Sequence, residues 1–259
     1  AADVILTDDN FATIVSAVEE GRRIYDNILK AIQFLLSSNV GEIIVLFVAI
    51  LITPLLSKIF GIDIHLIEPL LPIHILWINL VTDSLPALAL AVDPAEKDVM
   101  ERKPIKPKKG IFTNGMSWRI IYQGVMIGLL TLAAFIIGLG TKDVPIIEGL
   151  TEQEVRVEIG QTMAFIVLAL SELTHVFNIR NNKKSIFKIG VLANKPMIFC
   201  ILGAFILQLI IIFVPVLSTW LAIPKMPTTV YIAIITTTLI TVSIFEIIKI
   251  LLGKIFKEK

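Results

Sequence analysis

One cysteine among 259 residues, Cys200, excludes an intrachain disulfide, and its place inside an apolar stretch marks it as packing. The three histidines, His65, His74 and His175, share no metal-ligand spacing. There is no Gly-rich phosphate loop, no nucleophile–base pair and no cofactor motif, so the chain carries no legible catalytic centre. Charged residues make up only 17% and sum to +1, so their distribution informs more than their total, and no nucleic-acid partner is expected. The N-terminus is polar and charged, which excludes a signal peptide there.

What the chain has in excess is apolar sequence. It is 56% hydrophobic with a mean hydropathy of +0.86, above the usual range of soluble domains. Six stretches are long enough to span a bilayer: Phe34–Leu56, Leu70–Val92, Ile120–Leu139, Thr162–Phe177, Met197–Leu217 and Val230–Leu252. The fourth is the shortest. The expected fold is an all-α integral membrane domain of six transmembrane helices.

The loops give the orientation. Lys97, Arg102, Lys103, Lys106, Lys108 and Lys109 follow the second stretch; Arg180, Lys183, Lys184, Lys188 and Lys195 follow the fourth; Lys254, Lys257 and Lys259 end the chain. The alternate loops are poor in Lys and Arg. The positive-inside rule places the basic loops and both termini in the cytoplasm.

The first 33 residues read differently. An apolar run at Val4–Leu6 suggests a strand, Thr7-Asp8-Asp9-Asn10 a turn and helix N-cap, and the spacing from Phe11 to Ile32 a helix running into the first span. A lone strand cannot bury itself, and the chain begins without Met. The expectation is a cytoplasmic remnant at 1–33, cut from a longer polypeptide, followed by a membrane domain at 34–259.

Polar residues interrupt the spans at one level. Asn39 and Glu42 share a helix face in the first; Asn79, Thr82 and Asp83 cluster in the second, with Pro86 expected to break the helix just beyond; Glu172 lies in the fourth. Counting 8 to 12 residues from these carboxylates to the basic ends puts them about 12–18 Å deep, near mid-membrane. No Lys or Arg shares that depth. Intramembrane carboxylates without cationic partners call for a bound cation, and an all-oxygen ligand set favours a hard one such as Ca²⁺, with Mn²⁺ the alternative. Gln208 reads as interhelical glue, and Glu246 as a partner of Lys249.

The segments "LTDDNFATIVSAVEEGRRIYDNI", "SSNVGE", "LWINLVTDSLPALALAVDP" and "MERKP" closely resemble P-type ATPases of the calcium-pump subfamily, the sarcoplasmic reticulum type and its bacterial relatives. The resemblance implies the end of the phosphorylation domain followed by helices five to ten of a ten-helix pump. It implies Asn39, Glu42, Thr82, Asp83 and Glu172 as ligands of a first calcium site, and Asn79 with Asp83 as ligands of a second, Asp83 bridging both. A Glu and carbonyls from the fourth helix of a full pump would complete the second site. Ser84 departs from the Gly common in this motif, which leaves local unwinding of that helix open.

The implied function is ATP-driven calcium export with proton countertransport, from a bacterial plasma membrane. The chain's partners would be the lipid bilayer and the phosphorylation, nucleotide-binding and actuator domains with helices one to four. Mg²⁺ and ATP would act only in the full-length protein, and the basic loop Asp93–Ser117 would couple helix movement to phosphorylation. An ATP-independent divalent-cation exchanger or channel, and a non-transporting membrane scaffold, are the alternatives from other classes.

Overall fold

The structure is a computed structural model. It describes residues 10–96, 98–104, 112, 115–142, 144–181, 190, 194–225, 231, 232, 234–236 and 247. The expected strand at Val4–Leu6, most of the sixth span, Glu246 with Lys249, and Lys106, Lys108 and Lys109 lie outside those residues.

Every described element is helical. Helix α1 (Phe11–Phe60) is continuous from the N-terminal segment through the first apolar stretch, as the residue spacing predicts. Asn10 caps it, its side chain accepting the Ala12 N–H at 3.0 Å. At its far end Gly61 takes a left-handed φ of 65° and returns its N–H to Ser57 O. The second stretch comprises α2 (Pro72–Trp77), a π-helical segment (Ile78–Asp83) and α3 (Ser84–Ala91). Then follow α4 (Met116–Leu139), α5 (Glu152–Ile179), α6 (Lys195–Phe213) and the short α7 (Pro215–Trp220). Among the described residues five helical segments are long and apolar enough to cross a membrane.

Two sequence expectations need correction. The fourth span is not the shortest: α5 has 28 residues and is the most enclosed of the five. Its first half carries Arg156, Glu158 and Gln161, which dilute its hydropathy, yet Arg156 and Gln161 face protein. Arg156 donates to Leu139 O at 2.8 Å and to Phe60 O at 3.2 Å, so one guanidinium meets the carbonyl ends of α4 and α1. Gln161 donates to Glu68 O at 2.9 Å. The second correction concerns Pro86. It lies inside α3, and the helix departs from α geometry before it, at 78–83.

The bundle is built around α4, which packs along α1 on one side and α5 on the other. Its contact surfaces are glycine. A Cβ at Gly124 would stand 2.5 Å from Val40 Cγ1 and 2.9 Å from Ser37 O. One at Gly138 would stand 2.4 Å from Gly160 Cα. Small residues let backbones approach where no water drives helices together. Gly138→Ala is therefore expected to lower stability by about 1–3 kcal/mol, the usual cost of overpacking. A thermal-unfolding midpoint unchanged from wild type in detergent would contradict this packing.

Phe34, Val45, Ile127, Phe135, Leu139, Ile159 and Phe165 are fully enclosed between the helices. The opposite face of α1 carries Ile43, Phe47, Ile50 and Leu51, each more than 60% exposed. An apolar face of this size belongs against lipid. The chain is an all-α integral membrane domain.

Candidate functional site

Glu42 lies on α1 and is 6% exposed. The Asn79 amide donates to both its oxygens, at 3.1 and 3.3 Å, and also to Ile75 O at 3.0 Å. The first and second spans thus meet through two of the residues singled out in the sequence. Asn79 Oδ1 stays uncommitted among the described residues.

Asp83 and Glu172 form a second pair, deeper in the protein, at 1% and 0% exposure. The two carboxyl groups, and that of Glu42, lie within electrostatic reach of one another. None of their four oxygens has a hydrogen-bond donor among the described residues. Ser38 Oγ lies beside both, within electrostatic reach but without hydrogen-bond geometry to either. The side chains of Thr162 and Ser171 are also buried and unpaired. Leaving buried carboxylate oxygens without donors is costly in a low-dielectric interior. Among the described residues, the only buried Lys and Arg are Lys30 and Arg180, which sit on the far side of several helical turns.

Thr82 is buried next to Asp83 in sequence. Asn39 is half-buried, and its amide donates to Leu35 O of its own helix at 2.8 Å, away from the carboxylates. The structure therefore joins Glu42 to Asn79 and Asp83 to Glu172, but it does not draw Asn39 into either pair. Among the described residues no three carboxylate, imidazole or thiolate groups form a ready-made metal cage.

The backbone at this point is unusual. Asn79, Thr82 and Asp83 all fall in the π-helical segment. A π turn widens the helix and shifts carbonyls out of their α pairing, and such turns concentrate at functional sites. Ser84 Oγ donates to Asn79 O at 3.0 Å, supporting one of those carbonyls. Pro86 has no N–H to offer the Thr82 carbonyl four residues earlier. Ser84 thus follows an irregular segment and ties its hydroxyl to the Asn79 carbonyl.

The remaining polar residues separate cleanly. Gln208 accepts from Trp77 Nε1 at 3.0 Å, the interhelical role its position suggests. His74 is fully buried, with Nε2 2.7 Å from Leu221 O and its ring 4.6 Å from that of Phe165. His175 Nε2 lies 3.3 Å from Ser37 Oγ. His65 is exposed in a short 3-10 helix, Ile64–Leu66. The three imidazoles do not converge. Cys200 is half-buried against a small apolar cluster of Phe34, Leu90 and Val176.

Charge at the loop after the second span is organised as well. Arg102 pairs with Asp26 at 2.8 Å, with Asp98 at 2.9 Å and with Glu96. These acidic neighbours hold its guanidinium above the ordinary arginine range. Arg22 donates to Val99 O and Arg102 O, both at 2.9 Å. The start of the loop is thereby docked on the N-terminal part of α1. The spacing of these groups in sequence gives no hint of the docking.

Residues 67–251 match the family described as cation transporting ATPase, C-terminus. The chain is 48% identical over 223 residues to calcium-transporting ATPase 1 of Bacillus cereus, covering 84% of this chain and 24% of that protein. It is 43% identical over 219 residues to the calcium-transporting ATPase of Bacillus subtilis, covering 84% of this chain and 22% of the relative. An endoplasmic reticulum-type calcium-transporting ATPase 3 of Arabidopsis thaliana is 43% identical over 136 residues, 52% of this chain and 12% of the plant protein. The chain spans less than a quarter of the length of each of these relatives. With most of its residues matched by that model, and with unpaired carboxylates at the centre of a helical membrane bundle, the chain belongs to the C-terminal family of the cation-transporting ATPases.

Proposed function

We propose that this chain supplies the ion-binding membrane helices of a calcium-transporting P-type ATPase, with Asn39, Glu42, Asn79, Thr82, Asp83 and Glu172 as the ligands it contributes. The observation that carries the reading is Asp83 and Glu172: two fully buried carboxylates whose four oxygens have no donor among the described residues. A divalent cation satisfies such a pair directly, and in its absence protons do. Countertransport of protons on the same carboxylates follows from that exchange. The Glu42–Asn79 contact brings the first and second spans together at this level, and the irregular segment at 78–83 shifts backbone carbonyls out of their α pairing beside them.

ATP, Mg²⁺ and the phosphorylated aspartate belong to the remainder of the pump, as do the actuator and nucleotide-binding domains and the first four helices. The basic loop ends and the N-terminal part of α1 face the cytoplasm in this reading, which puts the Arg22 and Arg102 contacts where phosphorylation would act on the bundle. The names of the bacterial relatives support calcium as the cargo; the plasma membrane of a bacterium is the location this reading assigns.

The test is transport. Inverted vesicles containing the full-length protein are expected to accumulate calcium-45 only when ATP is supplied, with excess Mn²⁺ competing weakly. Calcium flux of equal rate without ATP would identify an exchanger or channel instead.

A further inference from the structure

The three helices that carry Glu42, Asp83 and Glu172 are tied together a second time, at the end of the bundle that bears the basic loops. The centre of that tie is Asp93, 3% exposed, just beyond α3. Its Oδ2 accepts from Lys30 Nζ of α1 at 3.0 Å. Its Oδ1 accepts from Arg180 Nε at the end of α5 at 3.0 Å, and from Asn194 Nδ2 at the start of α6 at 2.9 Å. Its backbone carbonyl accepts from Asn27 Nδ2 of α1 at 2.7 Å, and Asn27 also holds Ala91 O at 3.2 Å. Asn194 in turn donates to Ala89 O at 3.1 Å.

The correspondence is one to one. Lys30 is 12 residues from Glu42, Asp93 is 10 from Asp83, and Arg180 is 8 from Glu172, each along its own segment. Every helix bearing a candidate ligand carboxylate sends one ionised group to the same point. Both carboxylate oxygens of Asp93 are occupied, and each reaches a different ligand helix. Lys30 and Arg180 are themselves 9% and 4% exposed, so Asp93 is the counter-charge for two buried cations. Removing one partner of a buried ion pair is far more disruptive than the net worth of the pair, because the other charge is left stranded.

The geometry points to Asp93 as a positioning residue for cation binding: it fixes the axial register of α1, α3 and α5, and so the separation of Glu42, Asp83 and Glu172. It touches no ion. The inference rests on the ion-site reading above and assigns that site a remote anchor.

The experiment uses the full-length pump and reads calcium-activated phosphorylation by ATP as a titration, separating apparent calcium affinity from the phosphoenzyme level at saturating calcium. Asp93→Asn keeps the shape and the backbone contacts of Asn27 but removes the charge. It is expected to lower apparent calcium affinity about tenfold or more, the scale of a lost charge-assisted hydrogen bond, with the saturating level near wild type. Lys30→Gln leaves Asp93 paired with Arg180 and frees α1 alone. It is expected to lower affinity about threefold, a fraction of that same energy, and it decides the matter if Asp93→Asn does not fold. Unchanged affinity in Lys30→Gln and in any foldable Asp93→Asn would overturn the inference. So would a loss confined to the saturating level. Asp83→Asn is measured alongside: if that variant keeps calcium activation, the ion-site reading fails, whereas its loss beside wild-type behaviour at positions 30 and 93 removes only the anchor.

Discussion

Asp83→Asn in the full-length pump is expected to abolish calcium-activated phosphorylation by ATP while leaving the protein folded. The substitution keeps the side-chain shape and removes the charge. Asp83 sits 1% exposed at the end of the π-helical segment, against Glu172 and within the field of Glu42. Both its oxygens lack donors among the described residues, so the amide breaks no existing hydrogen bond. What the amide cannot do is supply negative charge to a divalent ion beside Glu172. A loss of at least about a hundredfold in calcium affinity is expected for a buried ligand charge, equivalent to roughly 3 kcal/mol. Monodisperse elution of the purified variant separates this outcome from misfolding. Near-normal calcium activation would remove Asp83 from the site.

Glu172→Gln is expected to behave differently, because Glu172 is fully buried on α5 and contacts Asp83 rather than the Glu42–Asn79 pair. Its loss should weaken one site while Asn79 and Asp83, with a glutamate from the rest of the pump, retain the other. Calcium bound at saturation should fall from about two ions to about one, since two oxygen sets divide these residues. Sequential filling can hide the surviving site at low calcium, so stoichiometry near saturation is the informative quantity. A wild-type value near one ion, unchanged in Glu172→Gln, would make Glu172 structural.

Much of this arrangement is legible in the sequence. Long apolar stretches announce the membrane helices because the bilayer imposes their length. Carboxylates inside them stand out because little else justifies their cost. The helical spacing from Phe11 onward correctly carries α1 into the first span. The fourth span was harder to read for a physical reason. Residues such as Arg156 and Gln161 lower its hydropathy, yet α5 is enclosed by protein, and carbonyls of Phe60, Glu68 and Leu139 satisfy those groups. Hydropathy scores contact with lipid, and α5 has little of it.

The π-helical segment shows another limit. Pro86 signals an irregular helix, but the irregularity lies before the proline, where backbone carbonyls and Ser84 Oγ settle the geometry. The Asp93 cluster was not legible at all, since Lys30, Asp93, Arg180 and Asn194 are joined only by the packing of four helices. The close approach of α4 to α1 left a weaker trace: Gly124 and Gly128, four apart in an apolar helix, are the spacing of a small-residue contact face.

The central claim is that this bundle holds calcium through Asp83. Equilibrium calcium-45 binding to the purified full-length protein, without ATP, tests it most directly because it depends on no later step of transport. Wild type is expected to bind about two ions per molecule near saturation, as two oxygen sets require, and Asp83→Asn essentially none. Binding by Asp83→Asn at the wild-type stoichiometry and affinity would contradict it.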